Sequence, residues 1–331
     1  MLAWIVVTFI LTVAFTFVNG FHDGANSIAT MVSTRVLTPR QAVVWAAFWN
    51  FVAAFTFGVN VAMTVGTGVV HAESITVQVI FAGLVGAVIW NLLTWWWGLP
   101  SSSSHALIGG YAGAAWAYGG TSTWIPRGLI MVSIFIFLAP IIGMILAWIN
   151  QSIVYLIIRR NDSPSPKLNH IFRRLQLVSA AIYSFSHGTN DAQKTMGIMF
   201  VLLVSAGILK SNAPMPTWII FLCYGTLAAG TLFGGFRIVR TMGMKLTKLD
   251  PMHGFCAEAG GGVTILAVSA LGIPVSTTHT ITGAIIGVGM TSGLKAVRWL
   301  VAGRIIWAWI FTIPVSALIG AATYELLKLF V

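Results

Sequence analysis

The sequence predicts an all-α polytopic membrane protein made of two inverted-topology repeats, each with a broken first helix and a re-entrant helical hairpin. Three observations carry that fold class. Of the 331 residues, 57% are hydrophobic and only 8% are charged, with a mean hydropathy of +0.90, whereas a soluble domain carries about a quarter charged residues. Uncharged apolar stretches long enough for a bilayer recur over 41–70, 76–97, 128–158, 213–235 and 305–324. They are continuous runs, not the ten-residue alternations of a transmembrane barrel. Finally, "GLPSSSSHALIGG" at 98–110 returns as "GIPVSTTHTITGA" at 272–284. Gly98, Pro100, Ser102, Ser103, Ser104 and His105 thus reappear 174 positions later as Gly272, Pro274, Ser276, Thr277, Thr278 and His279.

Along the chain, the apolar residues 1–20 have neither a basic leader nor a small-residue cleavage site, and are expected to stay as a first helix. "NGFHDGANSIAT" at 19–30 and "FSHGTNDAQKTMG" at 185–197 each set an aspartate among glycines, Gly20 and Gly24 in one, Gly188 and Gly197 in the other. Such glycines predict an interruption of the first helix of each half. Asp23 and Asp191 lie 168 residues apart, and the same offset maps Asn26 onto Lys194. The polar stretch "RRNDSPSPKLNHIFRR" at 159–174 is the natural linker, which divides the chain into a first repeat, 1–158, and a second, 175–331. Cys223 and Cys256 are the only cysteines and sit in apolar context, so no disulfide framework is expected.

The basic residues set the orientation. With the 159–174 linker in the cytoplasm and both termini outside, fourteen Lys and Arg fall in inner loops and three outside, Arg127, Lys210 and Lys328, with Lys194 inside a span. That is a strong positive-inside bias. It accounts for the net charge of +11 without a nucleic-acid partner. The two serine-rich tips contain no Lys or Arg, as expected of hairpins that dip into the membrane and turn back, one from each side. Ordinary spanning pairs joined by short loops are the alternative.

The tips carry a chemistry. Proline suits the first turn of a helix, and the backbone N–H groups after it have no intrahelical partner. Free donors, the positive end of a helix dipole and clustered hydroxyls together make an anion site. Two facing tips would surround a tetrahedral oxyanion, although serine and threonine also serve as helix caps or packing residues. Among the scarce acidic residues, Asp23, Asp191 and Glu258 fall in or beside membrane segments. A carboxylate there costs roughly 2.5–3.5 kcal/mol at a helix centre and marks a functional partner, or, for Asp191, a structural pair with Lys194 one turn on.

Together these motifs resemble the inorganic phosphate transporter family, the PiT-type phosphate permeases. "FHDGAN" and "SHGTNDAQ" are similar to its duplicated Gly-Ala-Asn-Asp signatures, "GLPSSSSH" and "GIPVSTTH" to its Pro-x-Ser-[Ser/Thr]-[Ser/Thr]-His tips, and "FCAEAGGG" to a segment with a functional glutamate. The resemblance covers nearly the whole chain. It implies a non-enzymatic secondary transporter importing inorganic phosphate with a coupling cation, as a homodimer in the cell membrane. It also implies that Ser102, Ser103, Ser104, Ser276, Thr277 and Thr278 coordinate phosphate. Asp23, Asn26, Asn190 and Asp191 would lie at the substrate and coupling-ion site, with Glu258 close to the second tip.

Two positions depart from the family pattern. His22 stands where Asn is common, and Lys194 where the second signature has another Asn. A fixed ammonium is a poor neighbour for Na⁺, so the sequence favours protons as the coupling ion, or carriage of phosphate with Mg²⁺ or another divalent metal. Lys194 joins the substrate-binding set, and Asp23, Asp191 and Glu258 become the proton or coupling-ion carriers. Two other readings compete: a sulfate permease of the same fold, and, remotely, an intramembrane serine hydrolase. The hydrolase would need a Gly-x-Ser-x-Gly elbow, which the sequence lacks.

Overall fold

The protein is described from a computed structural model, which covers residues 2–56, 58–158 and 166–330. Residues 159–165, the first part of the expected linker, lie outside the described residues. The remainder of it, 166–174, is helical, because Pro166 fits the first turn of a helix that then continues far into the second half.

Twelve α-helices follow one another among the described residues: α1 (Leu2–Ser33), α2 (Pro39–Val52), α3 (Asn60–Thr67), α4 (Val77–Trp97), α5 (Ser103–Gly119), α6 (Pro126–Ile158), α7 (Pro166–Ser205), α8 (Thr217–Phe233), α9 (Phe236–Arg240), α10 (Pro251–Ala270), α11 (Thr277–Met290) and α12 (Trp299–Leu327). Helices α1, α4, α6 and α12 are each long and apolar enough to cross a bilayer, and two bent pairs raise the total to six. The expected all-helical membrane fold is what the chain forms.

The helix starts are written locally. Thr38 caps α2 in a capping box with Gln41, ahead of Pro39, and Asp250 caps α10 ahead of Pro251. The hairpin tips are built alike. Helix α4 ends at Gly98, in the left-handed region (φ 65°), and the turn after α10 uses Gly272 in the same way (φ 73°). A short extended segment follows each, and then Ser102 or Ser276 caps the next helix.

The broken first helices are not found. Helix α1 runs through Asp23 and α7 through Asp191 without interruption. The glycines there serve close packing instead. A Cβ at Gly20 would sit 2.9 Å from the backbone carbonyl carbon of Leu227, and one at Gly188 2.8 Å from Cα of Asn50. Spacing alone does not separate a glycine that breaks a helix from one that lets a neighbour approach. The interruption falls one segment later: Pro39–Phe55 gives way to Asn60–Thr67, and Thr217–Phe233 meets Phe236–Lys245 at 60°, the latter through a π turn at Thr241–Lys245.

The two halves exchange their last helices. Helix α6 packs on α10 and α11, and α12 packs on α4 and α5. Pro140 in α6 and Pro314 in α12 repeat the 174-residue offset of the tips. Two apolar clusters flank the centre. Helix α1 enters the first through Phe15 and reaches the second at Ala25–Met31, whereas α7 enters the second at Ala180 and Tyr183 and reaches the first at Ile198–Leu202. The two helices therefore traverse the clusters in opposite order. Between the clusters lie Asn19–Asp23 of α1 and His187–Lys194 of α7, buried although polar.

Candidate functional site: two hairpin tips against two carboxylate helices

Buried polar groups must find partners, and here the partners come from all four parts of the repeat. On α7, the Asp191 carboxylate takes the Lys194 ammonium on Oδ1 at 2.6 Å, and His187 Nε2 stands 3.0 Å from Oδ2. Spacings of three and four residues put all three side chains on one helix face. Thr277 of the second tip donates to Asp191 Oδ2 at 3.3 Å. On α1, Asp23 Oδ1 lies 2.7 Å from His22 Nδ1, and Thr278 donates to it at 3.3 Å. Asn26, one turn further, donates to Thr278 Oγ1 at 2.8 Å and is 3.5 Å from Thr277 Oγ1.

Lys194 joins the halves. Besides Asp191, its ammonium donates to the carbonyl of Val275 at 2.6 Å and to Ser104 Oγ of the first tip. All these groups are almost wholly shielded from solvent. The tips also meet directly: the His105 and His279 rings pack edge to face at 4.7 Å, and His279 stacks on Trp309 at 3.9 Å. The surroundings keep capacity for a polar guest. Ser103 Oγ, Asn26 Oδ1 and Asn190 Oδ1 are buried with no protein partner.

A model of the phosphate transporter family matches residues 19–320, a stretch that spans all four motifs. The chain belongs to that family. It is 55% identical over 311 residues to a protein of Rhizobium meliloti described as a "probable low-affinity inorganic phosphate transporter", covering 94% of this chain and 92% of that one. A Bacillus subtilis protein of the same description is 44% identical over 322 residues, covering 97% and 96%. Among solved structures, one titled "The sodium-dependent phosphate transporter" superposes with a TM-score of 0.90 at 25% identity, covering 99% of this chain and 100% of that one.

Within this phosphate transporter family member, the residues singled out in the sequence differ in what they bond. Asp23, Asn26, Ser104, Asp191, Lys194, Thr277 and Thr278 are joined by the bonds just described. Ser102 and Ser276 use their oxygens to cap α5 and α11, accepting the N–H of His105 and of His279 at 3.2 Å; each hydroxyl keeps its proton to donate elsewhere. The amide of Asn190 donates to Ser269 at 2.6 Å. Glu258 stands in a cluster of its own, accepting from Thr30 (2.6 Å), Ser179 (2.5 Å) and Gln176 (3.0 Å), with no bond to a tip hydroxyl. Membership of a transporter family also disposes of the hydrolase reading, and the Ser104 hydroxyl is engaged by an ammonium rather than by an imidazole base.

The histidines belong to the site as well. His187 pairs with Asp191 four residues on, and His22 bridges Asp23 to Thr94 at 3.1 Å, so each carboxylate has an imidazole beside it. The four-residue spacing of His187 and Asp191 was the available signal. Ligand atoms of Asp23, His187 and Asp191 lie within 4.8 Å of one another. Two carboxylates and an imidazole suit a transition metal better than Mg²⁺, which prefers oxygen ligands alone. The ammonium on Asp191 further weakens the set for any dication unless phosphate oxygens join it.

Proposed function

We propose that this protein imports inorganic phosphate by alternating access, with protons as the coupling ion and Lys194 as a built-in cation. One observation carries the reading: three oxygens, on Asp191, Val275 and Ser104, converge on the Lys194 ammonium where a mobile cation would otherwise bridge the tips. Phosphate would lie between the tips, against Ser102, Ser103, Ser104, Ser276, Thr277 and Thr278, with Asn26, Asn190 and Lys194 as neighbours. Three carboxylates against one ammonium leave an excess of negative charge before any phosphate enters, and buried charge of one sign must be neutralised. Protons on Asp23, Asp191 or Glu258 would supply that balance.

In this reading the hairpins are re-entrant, the repeats inverted, both termini outside and the 159–174 segment cytoplasmic, in a homodimer of the cell membrane. The opposite order in which α1 and α7 pass the apolar clusters supports the inversion. A second reading, carriage of a metal–phosphate complex, draws on the proximity of Asp23, His187 and Asp191; phosphate would then bring the missing oxygens for Mg²⁺ or another divalent ion.

Counterflow of labelled phosphate in proteoliposomes, with Na⁺, pH and Mg²⁺ varied separately, tests these readings. The expected result is exchange that ignores Na⁺, uptake driven by an inward proton gradient, and no competition from sulfate. Strict Na⁺ dependence overturns the proton assignment, and exchange of sulfate in preference to phosphate overturns the substrate.

A further inference from the structure

A cleft of about 570 Å³ opens at the end of the molecule opposite the first apolar cluster, where α1 ends and α10 and α12 begin. Three cations line it: Arg35, Lys248 and Arg298. All three are exposed, and among the described residues none of them has an ion-pair partner. The one carboxylate in its wall is Asp250, whose Oδ1 accepts the N–H of His253 at 2.9 Å and lies 2.8 Å from His253 Nδ1. The wall is pinned in place, since the N–H of Arg298 donates to Leu246 O at 3.0 Å and Thr247 donates to Ala296 O at 3.1 Å.

Arg35 stands in the left-handed region (φ 56°), the one non-glycine residue to do so among the described residues, a conformation kept only where the surroundings impose it. Here the C-terminal cap of α1 imposes it: the N–H of Val36 donates to Met31 O at 3.0 Å and that of Arg35 to Val32 O at 3.2 Å, and Arg173 donates to the exposed Arg35 O at 2.7 Å. The cleft is also wired to the interior. Thr34, in its wall, donates to Gln176 Oε1 at 2.9 Å, and the Gln176 amide donates to Glu258. Glu258 in turn accepts from Thr30, one turn along α1 from Asn26. A column of four side chains thus separates the cleft from the hairpin tips.

We propose that this cleft is a second oxyanion subsite, which receives phosphate released from the tips on the cytoplasmic side and lets cytoplasmic phosphate hold the transporter back. The proposal rests on the phosphate-import reading and adds to it a site, a ligand and an asymmetry between the two faces. Three cations with no ion-pair partner among the described residues, around one concave opening, attract an oxyanion and raise its local concentration. A lipid phosphate headgroup offers the same chemistry, so the test separates the two sources.

The full chain is reconstituted in phosphatidylcholine, with and without phosphatidylglycerol, and acylation of Lys248 is followed by mass spectrometry with Lys245, outside the cleft, as reference. Inorganic phosphate is expected to slow acylation of Lys248 but not of Lys245 in pure phosphatidylcholine. Protection only by phosphatidylglycerol, or by neither, overturns the proposal. In parallel, counterflow is measured in right-side-out and everted vesicles for the wild type and an R35Q/K248Q/R298Q variant, whose changes are all on exposed side chains. The variant should raise the half-saturating phosphate about tenfold on the inner face alone. Equal shifts on both faces, or none, overturn the asymmetry. A wild type that exchanges no phosphate would instead refute the import reading, and the acylation result would still decide whether the cleft binds an oxyanion.

Discussion

The Lys194 ammonium lies 2.6 Å from Asp191 Oδ1 on the same face of α7, and the same ammonium holds Ser104 of one hairpin tip and the Val275 carbonyl of the other. One side chain therefore balances a buried carboxylate and ties together the two halves of the chain. Lys194→Asn removes the charge and keeps a polar group. It should abolish phosphate uptake at neutral pH, with partial recovery when Na⁺ or acid supplies the missing cation. Uptake by the wild type should collapse with a protonophore and ignore Na⁺. A variant that transports normally would reduce Lys194 to a structural partner of Asp191.

The tip hydroxyls give separable effects on binding and on stability. Ser103 Oγ is buried without a protein partner, so Ser103→Ala should leave the melting temperature unchanged while weakening phosphate binding by about 1–3 kcal/mol. Thr277→Ala also removes a donor to Asp191, and should lower both. Phosphate titration and thermal unfolding of the purified variants read the two quantities independently. Unchanged affinity in both variants would make the hydroxyls caps and packing groups.

Glu258→Gln keeps an oxygen for Thr30 and Gln176 and imitates the protonated acid. If Glu258 carries the coupling proton, the variant should still exchange phosphate for phosphate yet fail to concentrate it against a gradient. Concentrative uptake at the wild-type level would remove Glu258 from the coupling pathway.

Close helix packing predicts a stability pattern that is independent of function. Gly20→Ala and Gly188→Ala force a methyl group against the backbone of Leu227 or Asn50 and should each destabilise by about 1–3 kcal/mol. Gly303→Ala in α12 meets nothing within 4 Å and should be neutral or slightly stabilising, because alanine is the better helix former. Thermal unfolding in detergent distinguishes them.

The membrane class, the duplicated tips and the pairing of Asp23 with Asp191 were legible because they depend on composition and on repetition, both of which survive in a linear string. Seven of the residues that converge on the site had been singled out by residue type and offset. What stayed hidden depends on partners distant in sequence. The glycines beside Asp23 predict a break only while Leu227, some two hundred positions away, is unseen. Thr30, Gln176 and Ser179 carry no pattern of their own; only the fold gathers them around Glu258. His187 was within reach of spacing rules, and its weight became evident with the imidazole set against the carboxylate.

The crossed packing of α6 and α12 has a bearing on how such a molecule is assembled. Either half, synthesised alone, would present a hairpin without the helix that covers it and a final helix without the hairpin that it covers. Under the proposed inversion, a second copy of the same half, inserted the other way up, would offer both missing surfaces at once. If the repeats are inverted as proposed, the chain is in this sense an antiparallel dimer joined end to end, in which the polar segment between the halves replaces diffusion with a tether.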